Sequence, residues 1–143
     1  MKKIVMLIIM AAAAITLSGC TNNLKVKSPY EITSDKVTMT VKENTITKTS
    51  VTIIMTNKTE EQYMYGEPYH LEVKKKDTWY IYEPKETLTF NLPAYYIKEN
   101  ESVEKEYNWY HAYGKLKPGT YRLVTDFSRE QNEIYVAAEF TIK

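Results

Sequence analysis

A single cysteine, Cys20, stands in 143 residues, so the chain can form neither an intrachain disulfide nor a cluster of zinc-bound thiolates. Stability has to come from a buried core, and a chain of this length can hide well over about 60% of its unfolded surface. Charge of one sign is also missing. The 19 Lys and Arg are balanced by 18 Asp and Glu, a formal net charge of +1, which leaves no broad positive field to attract nucleic acid. Histidine occurs only at His70 and His111, and no Gly-x-Ser-x-Gly elbow accompanies them, so a nucleophilic hydrolase has few residues to be built from. Helical spacing is absent as well: no window sustains an apolar stripe at i, i+3, i+4 and i+7. At this length two domains are excluded. A hydrophobic share of 43% excludes a disordered tail.

The one long hydrophobic run lies at the start. Met1, Lys2 and Lys3 are followed by an apolar stretch over residues 4–17, which Leu17-Ser18-Gly19-Cys20 closes with small residues. A membrane span needs roughly 20 apolar residues, so this run reads as a cleaved secretion signal. Its last four residues resemble the bacterial lipobox, which implies cleavage before Cys20, a diacylglyceryl thioether on its sulfur and an acylated amine. Two or more acyl chains make a stable anchor where one is marginal. The expected organisation is a lipoprotein signal peptide at 1–19, a lipidated Cys20 and tether at 20–30, and a domain at 31–143 on the extracytoplasmic face. Lysine greatly outnumbers arginine, which is present only at Arg122 and Arg129, and this usage points to an AT-rich genome and a Gram-positive host.

Beyond the tether the pattern has period two, which predicts an all-β domain. Val37, Met39 and Val41 alternate with polar neighbours, and so do Val51, Ile53 and Met55, with Ile54 spoiling the polar phase. Tyr69, Leu71 and Val73 follow the turn Gly66-Glu67-Pro68, and a hairpin partner is expected at 79–82, with Trp79 and Ile81 on one face and Tyr80 and Tyr82 on the other. A strand is expected at Leu88, Phe90 and Leu92, ended by Pro93, then a loop or crossover at 93–101 and a strand through Tyr107 and Trp109. After Lys117-Pro118-Gly119, Tyr121, Leu123, Thr125 and Phe127 share a face, as do Ile134, Val136, Ala138, Phe140 and Ile142. Eight or nine short strands in one domain read as an antiparallel sandwich, with a closed barrel as the alternative.

Three segments carry a further likeness. They are Thr56-Asn57-Lys58-Thr59 with Tyr65-Gly66-Glu67-Pro68-Tyr69 and Trp79; Tyr113-Gly114-Lys115-Leu116-Lys117-Pro118-Gly119-Thr120-Tyr121-Arg122-Leu123-Val124; and Tyr135-Val136-Ala137-Ala138-Glu139-Phe140. In this order they resemble the bacterial immunoglobulin-like domain family of Gram-positive secreted proteins and lipoproteins. The resemblance implies a β-sandwich outside the cytoplasm and supplies no catalytic residues. With no cysteine pair across the sheets, Trp79, Trp109 and aliphatic neighbours are expected to close the core. Tyr121 stands where sandwich domains place a tyrosine bonded to backbone a few residues upstream.

The remaining chemistry is sparse. His70, His111, Met64 and carboxylates are the only material for a copper or zinc site, and none lie at ligand spacing. Asp126-Phe127-Ser128 has the start of a metal-dependent adhesion motif, but Glu130 replaces its second serine. Glu99, Glu101, Glu104 and Glu106 could supply the paired carboxylates of a glycosidase, yet the interleaved Lys98 and Lys105 favour a solvated strand face. The sequons at Asn57 and Asn100 are without meaning behind a bacterial lipobox. The 13 tyrosines are the unusual feature, and Tyr80, Tyr82 and Tyr135 fall on the outward phase, where rigid rings suit contact with protein or glycan. The expectation is a non-enzymatic binding or structural module without cofactor or metal. It is anchored to the membrane and has a possible protein or cell-wall partner. A glycan binder is the first alternative; a small hydrolase or metal-handling protein using His70 or His111 is the second.

Overall fold

The computed structural model describes residues 26–143, so the signal-peptide and Cys20 expectations lie outside the described residues. Nine strands form: β1 (Val37–Val41), β2 (Ser50–Asn57), β3 (Tyr63–Tyr65), β4 (His70–Lys75), β5 (Thr78–Ile81), β6 (Tyr95–Ile97), β7 (Ser102–Asn108), β8 (Gly119–Arg129) and β9 (Asn132–Ile142), with one short helix, α1 (Tyr110–Tyr113), before β8. All the pairings are antiparallel. One sheet runs β1-β2-β7. In the other, β8 is paired along its whole length with β9 on one side. Its other side meets β4 over its first half and β3 over its second, with β5 and β6 outside them. Among the described residues no helix is long and apolar enough to cross a membrane.

The two sheets enclose a single core. Val37, Met39, Val51, Ile53, Met55 and Tyr107 come from the smaller sheet and Leu71, Leu123, Phe127, Val136 and Phe140 from the larger, and all are buried. This is the face-to-face packing of a sandwich, driven by the apolar phase of each strand. Trp109, just beyond β7, is fully buried, stacks on Phe140 at 5.5 Å and donates its indole N–H to the Lys48 carbonyl at 3.0 Å. Truncating such a residue to alanine costs about 3–5 kcal/mol. The α1 turn that follows ends at Gly114, whose φ of 71° lies in the left-handed region that glycine enters without strain.

Several expectations are corrected. The Leu88, Phe90 and Leu92 alternation is not a strand. Residues 83–94 form no strand; Leu88 packs on the core and Phe90 meets Tyr69 at 5.6 Å, while Leu92 is 92% exposed. The supposed loop at 93–101 instead contains β6, which pairs with β3. The phase of β5 is also inverted. Val73 is buried and faces Tyr80 across the hairpin, so Tyr80 points inward with it and Tyr82 follows on the same phase. Tyr82 stacks on Tyr113 at 5.9 Å and meets Tyr121 edge-on at 5.5 Å. Trp79 lies on the outer face opposite Lys74, beneath the Arg122 guanidinium at 4.6 Å, and does not close the core. Lys105 is inward too: it sits opposite the buried Ile53, and its ammonium lies within 5.6 Å of the Tyr65, Tyr95 and Tyr107 ring centres, 3.3 Å from Glu67.

At the start of β8 the Tyr121 hydroxyl donates to the Lys117 carbonyl at 2.9 Å and ties the 117–119 turn to the core. Tyr121→Phe is expected to cost about 1 kcal/mol, read as a lower urea midpoint. Tyr135→Phe loses only a bond to the exposed Glu133 carboxylate, so it should cost under about 0.5 kcal/mol. Equal midpoints would remove the anchoring role of Tyr121.

Candidate contact surface

Residues of β8 that point away from the core are Arg122, Val124, Asp126 and Ser128, and their register places them beside His70, Glu72 and Met64 on one flank and Glu139, Ala137, Tyr135 and Glu133 on the other. This outer face is not bare. Residues 26–30 lie over it: Ser28 N–H donates to the Trp79 carbonyl at 3.0 Å and Ile81 N–H to the Val26 carbonyl at 2.8 Å, forming an antiparallel bridge between Lys27 and Tyr80. The stretch expected as tether therefore ends in a docked segment on the free edge of β5.

Under that segment Glu72 is fully buried. Its carboxylate accepts from Ser28 Oγ at 2.6 Å, Arg122 Nε at 2.6 Å and His70 Nε2 at 3.3 Å. Burial pushes its pKa up, but the hydrogen bonds from His70, Ser28 and Arg122, with the Arg122 charge, outweigh this and hold it below the ordinary value. Asp126 behaves oppositely: burial and the nearby Glu133 charge raise it, and its own backbone N–H and His70 only partly offset them. Tyr30 places its ring 4.3 Å from His70 and 4.7 Å from Tyr135, beside an open pocket of about 190 Å³ that also touches Pro68 and Asp126.

At the β3–β6 end the same face is open and apolar. Met64 and Tyr96 are directly paired across the two strands, and Leu92 precedes them in the loop; they are 39%, 57% and 92% exposed. A groove of about 220 Å³ lies between Met64, Leu92, Pro93, Asp126 and Ser128, and a second of about 370 Å³ between Met64, Tyr96 and Arg129. Tyr95 is on the opposite phase, stacked on Tyr65 at 5.5 Å above the Lys105 ammonium.

The structure therefore divides the tyrosines expected as contacts. Tyr80 and Tyr82 are committed to the core side. Tyr135 points outward, with its ring against Tyr30. Met64 and Tyr96 went unremarked as a surface because β6 has only three residues and its partner is distant in sequence. Glu72 carried a signal, an acid between Leu71 and Val73 in an apolar strand, but its partners Ser28 and Arg122 are far away along the chain.

The other candidates are not gathered into sites. Ser28 and His70 both bond Glu72 and not each other, so no nucleophile–base pair forms there. His111 is exposed on α1 against Tyr110. Among the described residues no group of three His, Cys, Asp or Glu could hold a metal ion. Glu104 pairs with Lys42 at 2.7 Å and Glu101 caps the Lys98 amide at 2.7 Å, so the acidic run faces no common cleft. Asn57 is 1% exposed and donates to the Glu61 and Lys98 carbonyls at 2.6 and 2.8 Å, which makes it a loop clamp.

Residues 33–141 match the bacterial Ig-like domain. The chain belongs to the bacterial Ig-like domain family. A comparison with curated proteins found no match. Ig-like domains of this kind are typically non-catalytic and serve as binding or structural modules, and the two-sheet sandwich is the frame on which the outer face is displayed.

The opposed carboxylates give a pH test. Glu72, held low in the folded state, contributes stability that is present above its unfolded pKa, near the ordinary 4.5, and is lost as pH falls through its folded value. Asp126, raised above 3.8, has the reverse sign: protonation on the way down favours the folded state. In urea melts between about pH 6 and 3, Glu72→Gln should lower stability at pH 6 and flatten the acid loss. Asp126→Asn should be at least as stable as wild type at pH 6 and lose stability more steeply. Parallel profiles for all three proteins would contradict this assignment.

Proposed function

We propose that this Ig-like protein is an extracytoplasmic lipoprotein, held at the membrane through Cys20, whose sandwich presents the Met64, Leu92 and Tyr96 surface to a protein partner. The anchoring rests on the run over residues 4–17 and the Leu17-Ser18-Gly19-Cys20 ending. The observation behind the contact surface is the gathering of exposed large apolar side chains. Of the seven among the described residues, Met64, Leu92 and Tyr96 gather on one face at the β3–β6 end of the larger sheet. Contiguous apolar surface beside grooves is the form that interaction sites take, whereas scattered single residues are ordinary. The second reading, a cell-wall glycan binder, draws on the same exposed Tyr96 ring beside the polar groove of Ser128, Arg129 and Glu130, since an aromatic platform suits a sugar face.

Cys20→Ser should move the protein out of the membrane fraction or leave an uncleaved precursor. A mature variant that still needs detergent for extraction would refute the anchor. For the surface, Leu92→Ser with Tyr96→Ser should leave the urea midpoint within about 0.5 kcal/mol of wild type, because both side chains are exposed. A pull-down after crosslinking on intact cells should lose its partner with this variant. Co-sedimentation with purified cell wall that the variant loses would favour the glycan reading instead, and an unchanged profile in both assays would reject the surface.

A further inference from the structure

Residues 26–30 add little to the core. None of them is buried and Val26 is 59% exposed. Their contacts have a different character. Two backbone hydrogen bonds pair them with the edge of β5, one hydroxyl reaches the buried Glu72, and one ring rests between two aromatic side chains. This is how a sheet edge recognises an extended peptide: main-chain pairing supplies the hold, and side-chain niches supply the choice. Pro29 favours the extended backbone such a peptide needs, in itself and in Ser28 before it.

The receiving groups are organised independently of the segment they receive. Glu72 keeps Arg122 and His70 when Ser28 is removed, so its carboxylate remains paired, and Arg122 is stacked on Trp79 at 4.6 Å. Beyond the Tyr30 ring the pocket of about 190 Å³ leaves room for a larger or differently placed side chain.

We infer that the outer face formed by β5, Glu72, Arg122, His70 and Tyr135 is a binding site for an extended peptide bearing a hydroxyl residue and, two positions on, an aromatic ring. The chain fills this site with its own residues 26–30. The filled state is closed, and local release opens the site while the sandwich stays folded.

The test uses the full chain in detergent. Hydrogen exchange should show the Ser28 and Ile81 amides opening at least 100-fold faster than those of Leu123 and Val136, with little dependence on urea. Ser28→Ala with Tyr30→Ala should quicken the Ile81 amide at least tenfold further while the Leu123 and Val136 amides keep their protection. A fluorescent synthetic peptide of residues 26–34 should then bind this variant at least tenfold more tightly than wild type, whose own segment competes. The same peptide carrying alanine at both positions should bind at least tenfold more weakly. Strap amides that exchange only with global unfolding would make residues 26–30 part of the fold and overturn the inference, as would the absence of saturable peptide binding to the variant.

Discussion

The eleven-residue ladder between β8 and β9 is the interaction on which the rest of the larger sheet depends. β8 alone touches β9, β4 and β3, and through the last two it carries β5 and β6. Leu123 and Phe127 are hidden in the sandwich, and Val124, on the opposite phase, is hidden as completely. Around Val124 the outer face is covered by neighbouring side chains of β4 and β9, and residues 26–30 lie beside them along β5 and His70. Glu72 lies on the same face. A fully buried carboxylate would be costly alone, and three donors from three separate parts of the chain make it tolerable.

Open sheets must also manage their edges, and this one does so unequally. β7, an edge of the smaller sheet, turns Lys105 inward, where the rings of Tyr65, Tyr95 and Tyr107 hold its ammonium and the Gly66 carbonyl accepts from it at 3.1 Å. An inward charge on an edge strand discourages further pairing. β5 is shielded by residues 26–28. β6 is short but otherwise open, and it carries Tyr96 beside Met64. The proposed contact region lies beside this short, uncovered edge.

What could be read from the chain follows the same division. β8 and β9 are long and alternate over most of their length, so their phase was plain in the sequence, and Tyr121 followed its turn as sandwich domains require. Alternation over residues 79–82 shows two faces of β5 but not which of them is inward, and the absence of a cysteine pair does not put Trp79 in the core. Register decides instead: the two-residue turn at Lys76 and Asp77 sets Tyr80 against Val73, and Lys76 with a φ of 55° gives none of the glycine or asparagine signal by which such turns are recognised. Residues 88–92 imitate a strand because Leu88 and Phe90 turn toward other side chains on alternate positions, but Leu92 points to solvent and the segment joins neither sheet. β6 and the docked segment were invisible for the converse reason. Each is defined by a partner distant in sequence, and three to five residues are too few to show a period.

The docked segment joins the fold to the proposed anchor. If Cys20 is held in the membrane, the sandwich is leashed from Val26 while residues 26–30 are seated, and from Val37, where β1 begins, once they are released. The eleven residues between these points can extend by about 36–40 Å at 3.3–3.6 Å each. Release would therefore change two properties together: the height the module can reach above the bilayer and the availability of the Glu72 face. The Met64 and Tyr96 surface is built on β3 and β6, which residues 26–30 do not pair with, so it stays assembled in either state. On the two proposals together, one end of the sheet would be a constant contact surface, while the other would be exposed only when the leash is long.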